Sequence, residues 1–280
     1  MACREDLGGG DVTTALMADR DEPATFQLVA RQVGVLCGLE VAPAVLHAFD
    51  PSLAIEWDHD CTDGAAIAAP DRTLATITGS LGGILSAERT LLNFLQRLCG
   101  VATMTRAYVD AIAHTSAKVY DTRKTVPGWR ALDKYAVHCA GGKNHRTGLF
   151  DAVLIKDNHL VGVEAERLSG AVFDMLNRMA AQGIRPDFVE VEADTLEQVE
   201  ALFDVLGIDV ILLDNFTSEE LRQAVALRDE RGLRGKVRLE ASGGITMETI
   251  AAVAETGVER ISVGAITHSA PALDLALERV

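Results

Sequence analysis

The second half of the chain alternates short runs rich in β-branched residues with longer segments of helical spacing. The runs lie at 118–121, 152–155, 188–192, 210–213, 237–240 and 261–263. Such alternation is typical of βα units that build a parallel sheet, and several successive units close most economically into a barrel. A doubly wound open sheet is the alternative, but no glycine-rich dinucleotide turn follows the first run. The pattern therefore favours an α/β barrel.

Helix boundaries in this half carry local signals. Two pairs fit capping boxes, and four glycines stand where helices should stop: Thr195 with Gln198, Thr217 with Glu220, and Gly183, Gly207, Gly232 and Gly257. Residues 1–98 differ, with strands predicted at 24–35 and 74–79 and helices at 40–49 and 86–98. We predict a mixed α/β domain over 1–98, the barrel with its ligand site over 99–265, and a C-terminal helix over 266–280 that packs on the first domain.

Composition excludes several classes of protein. With 48% hydrophobic residues and 7 prolines in 280 residues, the chain can bury a large core. The first residues are charged where a secretory signal needs an apolar run, and no run reaches the length of a membrane helix. Five cysteines lie far apart without a CxxC motif, so neither a disulfide framework nor a thiolate metal site is indicated. We expect a cytoplasmic protein with no membrane partner.

Charge is distributed unevenly along the chain. Residues 118–156 contain 8 Lys and Arg against 3 Asp and Glu, a net charge of +5, although the whole chain carries −15. The remainder therefore carries −20, which would repel a nucleic acid. A cationic island on an anionic protein suits the capture of a small polyanion in a cleft.

The polar residues of the second half follow the predicted strands, where α/β barrels carry their chemistry. A cationic group provides an anion clamp: Arg123, Lys124, His145, Arg146 and Lys156. Guanidinium groups bind planar carboxylates in a bidentate manner, which suits a rigid diacid. A solvated surface charge would explain any one of these residues, but not their clustering.

Acidic residues follow other strands of the same set. Glu190 and Glu192 point to one side of their strand, and with Asp214 they offer hard oxygen ligands to a magnesium ion that holds substrate phosphates. The alternative is a structural ion network in which the carboxylates pair with Lys156 or Lys124.

Glycine turns close the last two predicted strands. They contain Ser242, Gly243 and Gly244 after one strand and Gly264 after the other. Backbone N–H groups of these loops commonly bind phosphate in barrels, although each turn alone could be an ordinary tight turn.

Ordered sequence blocks run through nearly the whole chain: EDLGGGDVTT, SAERTLLNFLQRLCGVAT, DTRKTVPGWRALDKYAV, GGKNHRTGL, LIKDNH, VEVEADT, ILLDNF, LEASGGI and ISVGAITHS. In these blocks the chain resembles the quinolinate phosphoribosyltransferases, also called nicotinate-nucleotide pyrophosphorylases (carboxylating), which are type II phosphoribosyltransferases. The resemblance implies an N-terminal open-faced α/β sandwich domain and an incomplete α/β barrel. It also implies a homodimer, in some members a hexamer, in which each active site is completed by the neighbouring subunit.

The resemblance also implies an activity and a set of site residues. The activity is transfer of the phosphoribosyl group from phosphoribosyl pyrophosphate to quinolinate with decarboxylation, giving nicotinate mononucleotide, pyrophosphate and CO2 in NAD biosynthesis. The implied substrate-binding residues are Thr122, Arg123, Lys124, His145, Arg146, Lys156, Glu192 and Asp214, with Arg89 supplied by the partner subunit and Ser242, Gly243, Gly244 and Gly264 on the 5′-phosphate. Lys124, Lys156, Glu192 and Asp214 form the implied catalytic set, and the last two hold Mg²⁺.

Three other functions are compatible with parts of this pattern. A Schiff-base aldolase would use Lys124 or Lys156 as its nucleophile. A paralogue acting on a different acceptor would be expected to depart from the intact LIKDNH and NHR blocks. A non-catalytic anion-binding module would gain nothing from the negative charges of Glu192 and Asp214.

Overall fold

The computed structural model describes residues 1–280, except for the side chain of residue 165, and has an α/β fold. The chain forms two compact units. The first contains residues 1–106, 132–141 and 269–280, and the second contains residues 107–131 and 142–268. The boundary between the units lies near residue 106, whereas the sequence predicted a division at residue 98. Both positions lie within one long helix, α3 (Leu81–Ala111), which crosses from one unit into the other.

The first unit is built on an antiparallel sheet with the strand order β12, β1, β5, β3. Its strands are β1 (Pro23–Ala30), β3 (Ala54–Trp57), β5 (Arg72–Ser80) and β12 (Leu275–Arg279). A separate two-stranded sheet pairs β2 (Gly34–Val35) with β4 (Ala66–Ile67). The strand predicted over 24–35 is thus two strands in different sheets.

One face of the larger sheet is buried and the other is polar. Along β1, Phe26 and Leu28 are buried, whereas Thr25 and Gln27, which alternate with them, remain partly exposed. The helices of this unit are α1 (Ala2–Leu7), α2 (Val41–Phe49), most of α3 and most of α4 (Arg130–Cys139). This arrangement agrees with the open-faced sandwich expected for the first domain.

The helix predicted over 266–280 is wrong. Helix α9 (Ala265–His268) covers only its first residues, and Leu275–Arg279 forms the edge strand β12, antiparallel to β1. The segment LALER has good helix formers, but pairing with the free edge of β1 and burial of Leu275 override that local preference. The segment nevertheless belongs to the first unit, since β12 pairs with β1 at the edge of its sheet.

The second unit contains a parallel sheet of six strands in the order β6, β11, β10, β9, β8, β7. They are β6 (Lys118–Tyr120), β7 (Val153–Ile155), β8 (Val189–Ala193), β9 (Val210–Asp214), β10 (Arg238–Ser242) and β11 (Arg260–Ser262). Each predicted strand is confirmed within about two residues. Strands β7 to β11 are neighbours in chain order and β11 returns to β6, as in a barrel. Among the described residues no ladder joins β6 to β7, so the barrel is incomplete.

Helices follow the strands of this unit: α5 (Ala165–Ala181), α6 (Leu196–Phe203), α7 (Ser218–Glu230), α8 (Ile250–Ala254) and α9. Both predicted capping boxes are confirmed, since Thr195 accepts from the Gln198 N–H and Thr217 from the Glu220 N–H. Gly232 has a φ of 66° directly after the C-cap of α7, where glycine ends a helix without strain. Across the described part of the chain, the helices lack the combination of length and apolar character needed to span a membrane.

Candidate active site

The carboxyl ends of the parallel strands surround a cavity of about 440 Å³ in the second unit. Its walls are formed by Thr122, Arg123, Lys124, His145, Arg146, Leu154, Lys156, Leu212, Asp214, Glu240, Ser242 and Ser262. The structure therefore brings together the cationic group that the sequence places at separate strand ends. Two leucines, the buried Leu212 and the partly exposed Leu154, lie among these polar residues, so the wall combines charge with a small apolar surface.

The loop after β6 supplies Arg123 and Lys124. The Lys124 N–H donates to Thr122 Oγ1 over 3.0 Å, and the Thr267 hydroxyl donates to the Lys124 carbonyl over 2.7 Å. A Cβ added to Gly264 would lie 3.0 Å from Lys124 Cδ, so glycine leaves room for this side chain against the backbone. Arg123 Nε is buried with no hydrogen-bond partner among the described residues.

The loop that carries His145 and Arg146 is anchored beside β6. A single parallel bridge pairs Tyr120 with Lys143, and the His145 N–H donates to Asp121 Oδ1 over 2.7 Å. Asp121 is fully buried, so this bond fixes the start of the loop. The two cationic loops are thus held together at their bases, although more than twenty residues separate them in the chain.

The Arg146 guanidinium is half-buried without a carboxylate partner. Among the described residues its side chain makes one long hydrogen bond of 3.5 Å, from Nη1 to the Ala152 carbonyl. Burial and then the neighbouring Arg123 lower the pKa of Arg146. Two guanidinium groups that repel each other in a partly dry pocket favour the entry of an anion between them.

His145 is held by the protein through both ring nitrogens. Nδ1 accepts the Arg146 N–H over 2.7 Å, so the ring hydrogen of the neutral imidazole lies on Nε2. Nε2 lies 2.8 Å from Glu190 Oε2 and 3.5 Å from Glu240 Oε1. These three side chains have the composition of a metal site. The arrangement opposes that reading, because a metal on Nε2 would require Nδ1 to carry the hydrogen and donate.

A buried polar layer forms the floor of the cavity. Glu190 and Glu240 are both fully buried, and burial is the main cause that raises the pKa of each to about 7. The Arg260 guanidinium donates from Nε to Glu240 Oε2 and stacks on the Tyr120 ring, 4.0 Å from its centroid. Sequence reasoning missed Asp121, Glu240 and Arg260. Glu240 could have been found, because it lies two residues before Ser242 on the same side of β10.

Lys156 and Glu192 form an ion pair at the ends of β7 and β8. Lys156 Nζ donates to Glu192 Oε2 over 2.7 Å, and the Asp157 N–H lies 3.4 Å from Glu192 Oε1. Glu192 is 9% exposed, so the lysine neutralises a largely buried carboxylate. This is the pairing expected of the ion-network alternative, and it places both residues at the same strand ends as the cavity.

Asp214 ends β9 and is half-buried in the cavity wall. Its Oδ2 accepts from Asn215 Nδ2 over 2.7 Å. Burial raises the pKa of nearby Asp194, and the charges of Asp214 and Asp157 raise it further. Negative charge is therefore concentrated where β8 and β9 end. Glu192 and Asp214 do not combine with a third His, Cys, Asp or Glu ligand within 4.8 Å among the described residues.

Gly243 and Gly244 follow β10 with φ values of 93° and 59°, which favour glycine. A Cβ at Gly243 would collide with the Asn215 side chain, whereas a Cβ at Gly244 would meet nothing within 4 Å. The turn thus needs glycine for its conformation and leaves open space beside Gly244. Gly264 forms the corresponding turn between β11 and α9.

Comparison with known families covers nearly the whole chain. Residues 11–99 match the quinolinate phosphoribosyl transferase N-terminal domain, and residues 101–278 match the C-terminal domain of the same family. The chain belongs to the quinolinate phosphoribosyl transferase family.

Relatives of this family are similar over their full length. A nicotinate-nucleotide pyrophosphorylase (carboxylating) of Mycobacterium leprae is 42% identical over 279 residues, covering 99% of this chain and 94% of the relative. The solved nicotinate-nucleotide pyrophosphorylase of Francisella tularensis is 38% identical with a TM-score of 0.84, covering 100% and 93%. NadC from Streptococcus pyogenes has a TM-score of 0.87 at 37% identity, covering 99% and 94%.

Arg89 is the site residue that family resemblance assigns to a partner subunit. It lies on α3 in the first unit, with an exposed side chain. Lys134, which contributes to the cationic composition of residues 118–156, is buried on α4 in the first unit. The cationic stretch of the chain is therefore divided between the two units.

Proposed function

We propose that this chain transfers the phosphoribosyl group of phosphoribosyl pyrophosphate to quinolinate and decarboxylates the adduct. The products are nicotinate mononucleotide, pyrophosphate and CO2, a step of NAD biosynthesis. The observation that carries the proposal is the single cavity that combines Arg123, Lys124, Arg146 and Lys156 in a member of this family. Both substrates are small polyanions, and four cations at one set of strand ends match their charge.

The proposed reaction requires no covalent bond to the enzyme. The pyridine nitrogen attacks the anomeric carbon, a C–N bond forms, and the C–O bond to pyrophosphate breaks with its electron pair. The resulting pyridinium accepts the electrons of the C2–carboxylate bond as CO2 leaves, and the carbanion then takes a proton. Orientation of the two reactants supplies on the order of 7–11 kcal/mol, and fixed charges add to it.

We assign the residues by charge and position. Arg123 and Arg146, which are partly buried beside each other, hold the two carboxylates of quinolinate. Lys124 and Lys156 neutralise the departing pyrophosphate. Ser242 and the backbone of Gly243, Gly244 and Gly264 accept the 5′-phosphate, which the open space beside Gly244 supports.

Glu192 and Asp214 fit a magnesium ion that shares its coordination with substrate oxygens and water. Two carboxylates that join no third His, Cys, Asp or Glu ligand within 4.8 Å among the described residues suit Mg²⁺, which binds through one or two carboxylates together with phosphates. When bound, the ion would neutralise phosphate charge. We also propose a homodimer in which the exposed Arg89 of one subunit completes the site of its neighbour.

The Schiff-base aldolase alternative is less well supported. Schiff-base lysines are activated in hydrophobic pockets or beside another cation, whereas Lys156 lies 2.7 Å from Glu192 Oε2.

The test is a reaction of purified protein with quinolinate labelled in its C2 carboxylate, phosphoribosyl pyrophosphate and magnesium. We expect equal amounts of labelled CO2 and pyrophosphate, and neither product when nicotinate replaces quinolinate. Equal pyrophosphate release with both acids, or none with quinolinate, would refute the proposal. Treatment with borohydride and a carbonyl substrate would detect the aldolase alternative.

A further inference from the structure

Beneath the cavity lies a buried group of four ionisable side chains, the floor cluster: His145, Glu190, Glu240 and Arg260. Their exposed fractions are 8%, 0%, 0% and 3%. Interiors of parallel barrels are usually filled by branched apolar residues, so four polar side chains there need a specific reason. Neither Glu240 nor Arg260 takes part in the proposed chemistry.

The contacts of the floor cluster form a chain that ends at the cavity. Arg260 is held between aromatic rings, with its guanidinium carbon 4.0 Å from the Tyr120 centroid and 5.1 Å from that of Phe188. Its Nε donates to one Glu240 oxygen, and the other Glu240 oxygen lies 3.5 Å from His145 Nε2.

The far side of the imidazole continues this chain to the substrate-facing loop. His145 Nδ1 accepts the N–H of Arg146, whose guanidinium lines the cavity. The orientation of the His145 ring therefore sets the backbone from which Arg146 projects.

We infer that Glu240 is a positioning residue for the diacid: it holds the His145 ring against Arg260 and thereby fixes Arg146. This inference rests on the proposed function, because it assumes that Arg146 binds a quinolinate carboxylate. Glu190 also lies near His145 Nε2, at 2.8 Å, and the charge of Arg260 acts on it, but among the described side chains only Glu240 accepts a hydrogen bond from Arg260.

Hydrogen-bond donors explain why a carboxylate is required at residue 240. Arg260 Nε donates to one Glu240 oxygen, and the other oxygen faces His145 Nε2 at 3.5 Å, a contact between charges rather than a hydrogen bond. The amide of Glu240→Gln has one oxygen and one NH2 group. In either orientation the NH2 group faces a donor, so one of the two contacts must break.

The test is a double-mutant cycle on the dissociation constant of quinolinate, measured calorimetrically for the full-length protein at about pH 8.5, where the carboxyl of Glu240 is ionised. Loss of one charge-assisted contact predicts that Glu240→Gln weakens quinolinate binding about tenfold. In a His145→Ala background the same substitution should change the constant less than about twofold, because the connecting ring is gone. The Michaelis constant for phosphoribosyl pyrophosphate should also change less than about twofold in Glu240→Gln.

A matched control separates positioning from stability. Glu259 pairs with the buried Arg228 and accepts the Leu239 N–H, but it does not line the cavity. Glu259→Gln should lower the melting temperature and leave the dissociation constant of quinolinate within about twofold. An effect of Glu259→Gln on binding equal to that of Glu240→Gln would overturn the inference.

Additive effects of Glu240→Gln and His145→Ala on quinolinate binding would also overturn the inference, as would unchanged binding in Glu240→Gln.

If Glu240→Gln does not fold, ¹⁵N spectra of histidine-labelled wild-type protein decide the question. Only seven histidines are present, and His145→Gln assigns the signal. A hydrogen on Nδ1 of His145 would refute the arrangement, and one on Nε2 would support it. Wild-type protein that fails to bind quinolinate would refute the proposed function instead.

Discussion

Replacement of Arg146 by methionine should weaken quinolinate binding strongly and leave the free energy of unfolding nearly unchanged. The side chain is half-buried, makes one long hydrogen bond, and lies close enough to Arg123 for that residue to lower its pKa. Loss of such a bond costs at most about 1 kcal/mol, and removal of the repulsion between the guanidinium groups offsets part of that cost. We therefore expect the free energy of unfolding to change by less than about 1 kcal/mol.

Binding should respond much more strongly. A guanidinium that pairs with a carboxylate in a partly dry pocket contributes roughly 2–5 kcal/mol when its loss leaves the carboxylate unpaired. Arg146→Met should therefore raise the dissociation constant of quinolinate roughly 30- to 5,000-fold. Calorimetric titration measures binding, and urea unfolding followed by circular dichroism measures stability.

Arg228→Met provides the opposite case. Arg228 is 1% exposed and binds both carboxylate oxygens of Glu259, at 2.6 and 2.7 Å. Its loss leaves a carboxylate without its buried partner and should cost about 3 kcal/mol or more of stability, with little change in binding.

Binding of quinolinate to Arg146→Met within threefold of wild type would remove Arg146 from the diacid site. A stability loss above about 2 kcal/mol would show that its main role is structural.

Two further predictions follow from the acidic residues. Asp214→Asn should reduce magnesium-dependent turnover at least about tenfold while the dissociation constant of quinolinate changes less than about twofold; unchanged turnover with the same magnesium dependence would exclude Asp214 as a metal ligand. Glu240 has a folded pKa raised from 4.5 to about 7, so the folded state keeps a proton that the unfolded state loses. Its contribution to stability is complete below about pH 4.5 and falls by roughly 3 kcal/mol as the pH rises to about 7. Urea unfolding between about pH 5 and 7.5 should show that the free energy of unfolding falls more steeply with pH for wild type than for Glu240→Gln. An equal dependence on pH in the two proteins would contradict burial as the cause of the raised pKa.

Features set by local sequence could be predicted closely. The capping box of Thr217 and Glu220 and the strand that ends at Asp214 depend on neighbouring residues, and the structure has both. The convergence of Arg123 and Lys156 could also be predicted, because parallel strands present their carboxyl ends at one edge. Periodicity and a topological rule were sufficient for these features.

Features set by tertiary contacts could not be predicted in the same way. The segment that forms β12 has helical preferences, and only pairing with β1 makes it a strand. The contact of Glu240 with His145 joins residues nearly one hundred positions apart. The sequence allowed Glu192 either to pair with Lys156 or to bind magnesium, and the spacing of these residues could not decide between the two.

The placement of β12 affects the order in which the chain can fold during synthesis. Domains generally fold as units as they leave the ribosome, with the N-terminal one first. Here the sheet that begins with β1, at residues 23–30, acquires its edge strand only when residues 275–279 have been made. The first unit must therefore wait until the entire second unit has been translated, with the edge of β1 open to other partners until then.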